Sequence, residues 1–228
     1  MPNINFISTS EELDAIDFDY QLPIGSLPKL FRNNEIDFQK QEIGYLKANQ
    51  SYVEHFKKEL KLNDGPLIGI SWASFNCTNS DKKSIAIKNF RNVLSNLNCD
   101  IINLQYGNVD KEVEEFTNAT NLNFINNHGV DVYNDIEGLA ALIEICDLII
   151  TIPNVTVQLS GALGKKGWVI VPFSPNFTWT IDKATSLWYP NINIFRQKKI
   201  NDWTEVLIGL ESEALNYLDS SNYSKAID

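Results

Sequence analysis

Four short segments of this 228-residue chain carry side chains that could hold a phosphate or a sugar. The first spans residues 73–85 and reads Ala-Ser-Phe-Asn-Cys-Thr-Asn-Ser-Asp-Lys-Lys-Ser-Ile. It sets hydroxyls, amides and the ammonium groups of Lys82 and Lys83 just before a predicted helix. Free backbone N–H groups and the helix dipole act in the same direction there, which suits a phosphate. The plainer alternative is a solvated loop with Ser84 as the helix N-cap. The second segment, 151–158, reads Thr-Ile-Pro-Asn-Val-Thr-Val-Gln. Pro153 stops a strand, and Asn154 or Thr156 can cap the helix that follows. Small residues through Gly164 would let a pyrophosphate approach that helix start. An ordinary strand–turn–helix accounts for the same residues. Third, Gln105-Tyr106-Gly107 could hydrogen-bond a ribose and stack on a base, or could simply turn the chain. Fourth, residues 173–189 hold Trp179, Trp188 and Tyr189. These aromatics either stack on a ligand or pack the end of a sheet, the commoner fate.

Other chemistry has no motif here. The chain has no G-x-x-x-x-G-K-[ST], no G-x-G-x-x-G and no G-x-S-x-G, so P-loop, nicotinamide and α/β-hydrolase sites are unsupported. Cys77, Cys99 and Cys146 form no C-x-x-C pair and read as reduced structural thiols of a cytoplasmic protein. His55 and His128 have no metal-ligand spacing, and the neighbours of His128 read as a plain turn; no metal site is expected. Asn-x-Ser/Thr triplets begin at Asn76, Asn118, Asn154, Asn176 and Asn222. With no secretory leader in the first ten residues, they read as chance.

Composition narrows the class. The formal net charge is -10, from 19 Lys+Arg against 29 Asp+Glu. That balance argues against a general nucleic-acid binder, but leaves room for a local basic pocket. Hydrophobic residues at 43% can build a core, and no apolar run reaches the ~20 residues of a membrane span.

The elements that must position these segments follow from periodicity. Residues 5–7 could form a strand, and 22–28, broken by Pro23 and Pro28, should be extended or turning. Residues 51–60 carry Val53, Phe56 and Leu60 at helical spacing. Asn63-Asp64-Gly65-Pro66 is a strong breaker, so a domain boundary is expected near residue 65. Strands are then expected at 66–72, 101–104, 122–125, 147–152, 168–172 and 192–195. Helices are expected at 85–97, 109–117, 135–146, 155–163 and 203–217. Alternating strands and helices make a doubly wound parallel sheet, an α/β Rossmann-like fold. Such sheets bind ligands outside the carboxyl ends of the strands, at the switch point of strand order. The four segments above follow predicted strands.

Their order resembles one family. Ile68-Gly69-Ile70-Ser71-Trp72, Lys83-Ser84-Ile85, Leu104-Gln105-Tyr106-Gly107, Asp147-Leu148-Ile149-Ile150-Thr151, Leu159-Ser160-Gly161-Ala162-Leu163-Gly164, and Trp188-Tyr189-Pro190 with Phe195-Arg196-Gln197 come in sequence. Together they resemble the C-terminal, donor-binding half of bacterial GT-B glycosyltransferases similar to heptosyltransferases, above all those attached to tetratricopeptide repeats. Residues 22–30 and Gly44-Tyr45-Leu46 look like the tail of the family's N-terminal domain. The resemblance implies that Ser71, Trp72, Lys83 and Ser84 face a diphosphate, and that Gln105 and Tyr106 lie near the nucleoside. It places Asn154, Val155, Thr156 and Gln158 at the phosphate-binding helix start. It implies no metal and no cofactor, since lysines and helix dipoles neutralise the leaving diphosphate. Pro153 stands where heptosyltransferases usually show Asp, although the repeat-associated relatives lack that Asp too. Gln158 stands where His is usual.

The expected organisation is residues 1–64 as a remnant of the acceptor half and 65–228 as a nucleotide-sugar-binding domain. A two-domain enzyme needs roughly two ~150-residue units, so the general base is expected elsewhere and the chain is expected to be inactive alone. The expected ligand is a nucleotide sugar or nucleotide diphosphate. A homodimer or an N-terminal partner chain would cover an exposed edge. The rival expectation is a degenerate, non-catalytic interaction module on the same fold.

Overall fold

A computed structural model describes residues 17–39, 41–63, 65–75, 80–97, 99–126 and 128–224. The strand expected at 5–7 and Cys77 lie outside the described residues. The chain divides into two units, Met1–Gln41 and Glu42–Asp228.

In the first unit, 3-10 turns Ile24–Ser26 and Glu35–Phe38 flank a short helix α1 (Pro28–Phe31). Pro28 at the start of α1 costs nothing, because that N–H has no intrahelical partner. Asn34 and Asp37 cap the second 3-10 turn reciprocally.

The second unit is built on a six-stranded parallel sheet. Its strands are β1 (Leu67–Ser71), β2 (Asp100–Asn103), β3 (Phe124–Ile125), β4 (Leu148–Thr151), β5 (Gly167–Val171) and β6 (Ile192–Arg196). The spatial order is β3-β2-β1-β4-β5-β6, the doubly wound Rossmann order, with its switch point between β1 and β4. The helices are α2 (Gln50–Glu59), α3 (Ser80–Lys83), α4 (Arg91–Leu97), α5 (Asp110–Thr120), α6 (Ile136–Ile145), α7 (Val155–Leu163) and α8 (Thr204–Ser224).

Strand residues are apolar on both faces because both faces are covered. Ile68, Ile70, Ile101, Leu148, Ile150, Trp168 and Ile170 join one cluster with α4, α5 and α8. Leu67, Ile102 and Ile149 join the other, with α2, α6 and Leu163 of α7. Val169 and Val171 pack with Trp179, Ile192 and Ile194. Trp179, one of the strand-end aromatics, is therefore a core residue.

Several expectations shift. The helix expected at 85–97 is a 3-10 turn, Ile87–Phe90, running into α4. The third strand keeps only two paired residues. Residues before the expected boundary at 64/65 belong to the second unit. Val53 and Phe56 of α2 are buried among α6 side chains. Leu46 N donates to Ala162 O of α7 at 2.9 Å. The division falls after residue 41 because amphipathic α2 has to bury its apolar stripe, and the sheet supplies the surface.

Candidate functional site

The loops after β1 and β4 meet at the switch point through side chains the sequence singled out. Asn154 is the N-cap of α7: its Oδ1 accepts Val157 N at 3.4 Å and the Thr151 hydroxyl at 3.2 Å. Its Nδ2 donates to Ser71 Oγ at 2.8 Å. One amide thus caps the helix and clamps the two strand ends. The intrahelical ladder offers no acceptor to the N–H groups of Val155 and Thr156, which form the anion-seeking end of the α7 dipole. Val155 is exposed there and Gln158 is half-buried, but the Thr156 side chain is buried.

Gln105 and Trp72 have other duties than the resemblance implied. Gln105 Oε1 accepts Ser71 Oγ at 3.1 Å, Trp72 N at 2.8 Å and Ala73 N at 2.7 Å. Its Nε2 donates to Tyr106 O at 2.8 Å. The side chain is buried and its hydrogen-bonding capacity is used in shaping the turn after β1. It holds the loop after β1 in place, and it also lines the cavity over β2 and β3. Trp72 is 1% exposed, and its indole N–H donates to Glu112 Oε2 at 3.0 Å. Glu112 Oε1 in turn accepts Ile87 N at 2.9 Å. The ring is core, not a diphosphate contact. Ser71 is likewise buried, its hydroxyl spent between Gln105 and Asn154.

Ser84 is not the expected helix N-cap: its Oγ accepts Ser74 N at 3.0 Å and ties the loop's two ends together. Lys82 and Lys83 end the short α3 rather than precede a helix start. Lys83 Nζ donates to Pro153 O at 3.2 Å, crossing from the β1 loop to the β4 loop. Both lysines line a cleft of about 540 Å³ that runs past Pro153 to Pro172–Asn176, Gln197, Ile200 and Asn201. This cleft lies over the carboxyl ends of β4, β5 and β6.

On the other side of the switch point a cavity of about 210 Å³ opens over β2 and β3. Gln105, Tyr106, Gly107, Asn126, His128, Asp131 and Tyr133 are among its walls. Tyr106 and Tyr133 stand 5.5 Å apart, and Phe75 meets Tyr106 edge-on at 5.6 Å. The Tyr106 hydroxyl accepts Phe75 N at 2.9 Å. His128, expected in a plain turn, uses both ring nitrogens. Nδ1 accepts Val130 N at 3.2 Å, which places the proton on Nε2, 2.8 Å from Asn103 O. Burial pushes its pKa below the usual 6.5, against the carbonyl contact that favours the charged form. Its position just past the third strand was the signal that could have found it. Among the described residues no three His, Cys, Asp or Glu side chains gather as a metal site.

No family model matches the chain. It is 27% identical over 201 residues to the protein FlbA of Caulobacter vibrioides, covering 87% of this chain and 33% of FlbA. Its structure is similar to that of Escherichia coli ADP-heptose LPS heptosyltransferase II, with a TM-score of 0.56 at 12% identity. The match covers 77% of this chain and 54% of that one. A family 9 glycosyl transferase from Veillonella parvula matches at a TM-score of 0.54 and 13% identity, over 78% of this chain and 55% of that one. The chain therefore spans a third of FlbA and about half of each glycosyltransferase. Its fold is heptosyltransferase-like, that of one Rossmann-like half of a GT-B glycosyltransferase.

Proposed function

We propose that the second unit, residues 42–228, is a nucleotide-sugar-binding domain and that the chain needs an acceptor-binding half from elsewhere for transfer. The observation that carries this reading is the crossing at the switch point. Lys83 and the start of α7 meet there, between a cavity with two tyrosines and a longer cleft. A diphosphate at the crossing would meet one ammonium group and the α7 N–H groups, with no metal required. The nucleoside would lie toward Tyr106 and Tyr133. A heptosyltransferase-like fold supports the donor class, and the reduced thiols Cys99 and Cys146 fit a bacterial cytoplasm. Among the described residues no helix is long and apolar enough to cross a membrane.

Titration calorimetry with UDP, ADP and GDP, and with their sugars, tests the reading. One of the diphosphates is expected to bind, and Lys83→Ala to weaken it about tenfold. Absence of heat and of any melting shift with all of them removes the claim. A second reading has its own support: Ser71, Trp72 and Gln105 are satisfied by the protein itself. That is what a non-catalytic interaction module would keep. Nucleotide affinity indifferent to Lys83→Ala favours that module.

A further inference from the structure

We infer that the loops following β5 and β6 form a docking rim for an anionic lipid surface, with Phe177, Ile181 and Ile200 as the inserted side chains and neighbouring lysines as the charge match. This surface is independent of the nucleotide-binding reading above, and its test uses no nucleotide.

The loop after β5 is held by its own interior. Trp179 is 1% exposed and packs with Val169, Val171, Ile192 and Ile194. Arg196, the last residue of β6, donates from Nη2 to Trp179 O at 3.0 Å and to Thr180 O at 2.5 Å. Further along, Ile194 N donates to Ala184 O at 2.7 Å. A loop pinned at these points has little freedom to tuck apolar side chains away. Phe177 and Ile181, on either side of the Trp179–Thr180 anchor, are 76% and 78% exposed. The turn after β6 likewise presents Ile200, which is 70% exposed. Ile200 lines the same cleft as Phe173 and Asn176, so the two loops are neighbours. Single exposed apolar residues are ordinary. Several on two adjoining loops, fixed outward, make the kind of patch that marks an interaction surface.

Charge names the occupant. Residues 82–83, which line the same cleft, and residues 172–205 carry six Lys+Arg against three Asp+Glu, whereas the rest of the chain carries thirteen against twenty-six. Glu205 holds Lys198 at 2.6 Å, but Lys82 and Lys199 are exposed and enter no ion pair among the described residues. An anionic leaflet takes both halves of this surface. Aromatic and aliphatic side chains enter the headgroup boundary, and lysine ammonium groups meet the lipid phosphates while their stems lie along the apolar side chains. A nucleic acid would match the lysines but leave the two isoleucines in water.

The test is co-sedimentation of the whole chain with vesicles of equal parts phosphatidylcholine and phosphatidylglycerol, against vesicles of phosphatidylcholine alone. The anionic vesicles should bind about tenfold more tightly, and raising salt from about 0.05 M to about 0.5 M should remove most of that gain. Phe177→Ser combined with Ile181→Ser should weaken binding about tenfold. The matched control, Leu30→Ser with Phe31→Ser in the first unit, should leave it within about twofold. No binding to either vesicle overturns the inference. So does binding that ignores lipid charge, survives the loop substitutions, or depends on the first-unit pair instead. Sedimentation without vesicles that the loop substitutions abolish also overturns it, assigning the rim to a second copy of the chain. Should the loop variant fail to fold, tryptophan quenching on the wild type decides. The Trp188 ring lies 6.3 Å from that of Phe177. Anionic vesicles with brominated acyl chains should quench it, and Trp188→Phe should remove most of that quenching. Quenching that is absent, or unchanged in Trp188→Phe, overturns the inference.

Discussion

His128 has a pH signature that follows from its two hydrogen bonds. Protonating Nδ1 breaks the bond from Val130 N and places a charge in a half-buried cavity wall. The folded-state pKa is below 6.5, so the unfolded chain binds the extra proton more readily as pH falls. The stabilising contribution is therefore complete above about pH 6.5 and is lost as pH falls through the lowered folded-state value. Melting temperatures at pH 7.5 and 5.5 should separate more in the wild type than in His128→Gln, which cannot charge. Equal separations would show that His128 carries no linkage. The Asp131 carboxyl on the same wall does not confuse this window. Hydrogen bonds, first from the Asn134 side chain, hold it below 3.8, so its contribution disappears only in stronger acid. At this scale the sequence was a partial guide. Residue type placed Asn154 and Tyr106 just past strand ends and Lys83 in the segment between β1 and the next helical turn, as the structure has them, and Tyr106 lines the cavity. It could not separate ligand-facing groups from groups satisfied by the protein. Trp72 and Gln105 have the chemistry to touch a nucleotide, but a partner distant in sequence, Glu112 or Ser71, claims it.

The α7 helix shows how an element imposes constraints that single residues hide. Its small residues looked suited to a pyrophosphate, yet Gly161 serves packing. A Cβ built on Gly161 would lie 2.2 Å from Tyr189 Cγ and 2.7 Å from Tyr189 Cβ. These atoms sit at the root of the side chain and cannot swing away cheaply. Gly161→Ala should therefore destabilise the fold by about 1–3 kcal/mol, a loss of several degrees in a thermal melt. An unchanged melting temperature would mean that Tyr189 repacks freely. Tyr189, counted among the aromatics that might stack on a ligand, is thus part of the seam between α7 and the loop before β6. Gly164 ends the same helix at φ +80°, the left-handed turn that glycine adopts without strain. Helix ends and strand runs were readable because cap residues and apolar periodicity are local signals. The 3-10 turn at Ile87–Phe90 was not, since its apolar spacing matches that of an α-helix.

At the scale of the molecule, the described apolar clusters draw all their residues from position 48 onward. The second unit therefore carries a core of its own. Deleting residues 1–41 should leave a folded domain whose melting temperature and nucleotide affinity match those of the full chain. Tyr20, Ile24, Leu30, Phe31 and Ile36 of the first unit are exposed, and such side chains favour association. Sedimentation should then show the full chain self-associating more than residues 42–228. Loss of folding on deletion, or equal association of both forms, would count against this division of labour. The sequence by itself determined the parallel α/β sheet, its element order and the strand-end loops that face the site. Periodicity and chain punctuation act over a few residues and are written in residue order. Only the tertiary structure decided that α2 belongs to the sheet domain, that Trp72 and Gln105 are internal supports, and that Trp179 is buried while Phe177 and Ile181 stay exposed. Those outcomes depend on which distant group reaches a side chain first, and hydrogen-bond partners thirty to eighty residues away leave no local trace.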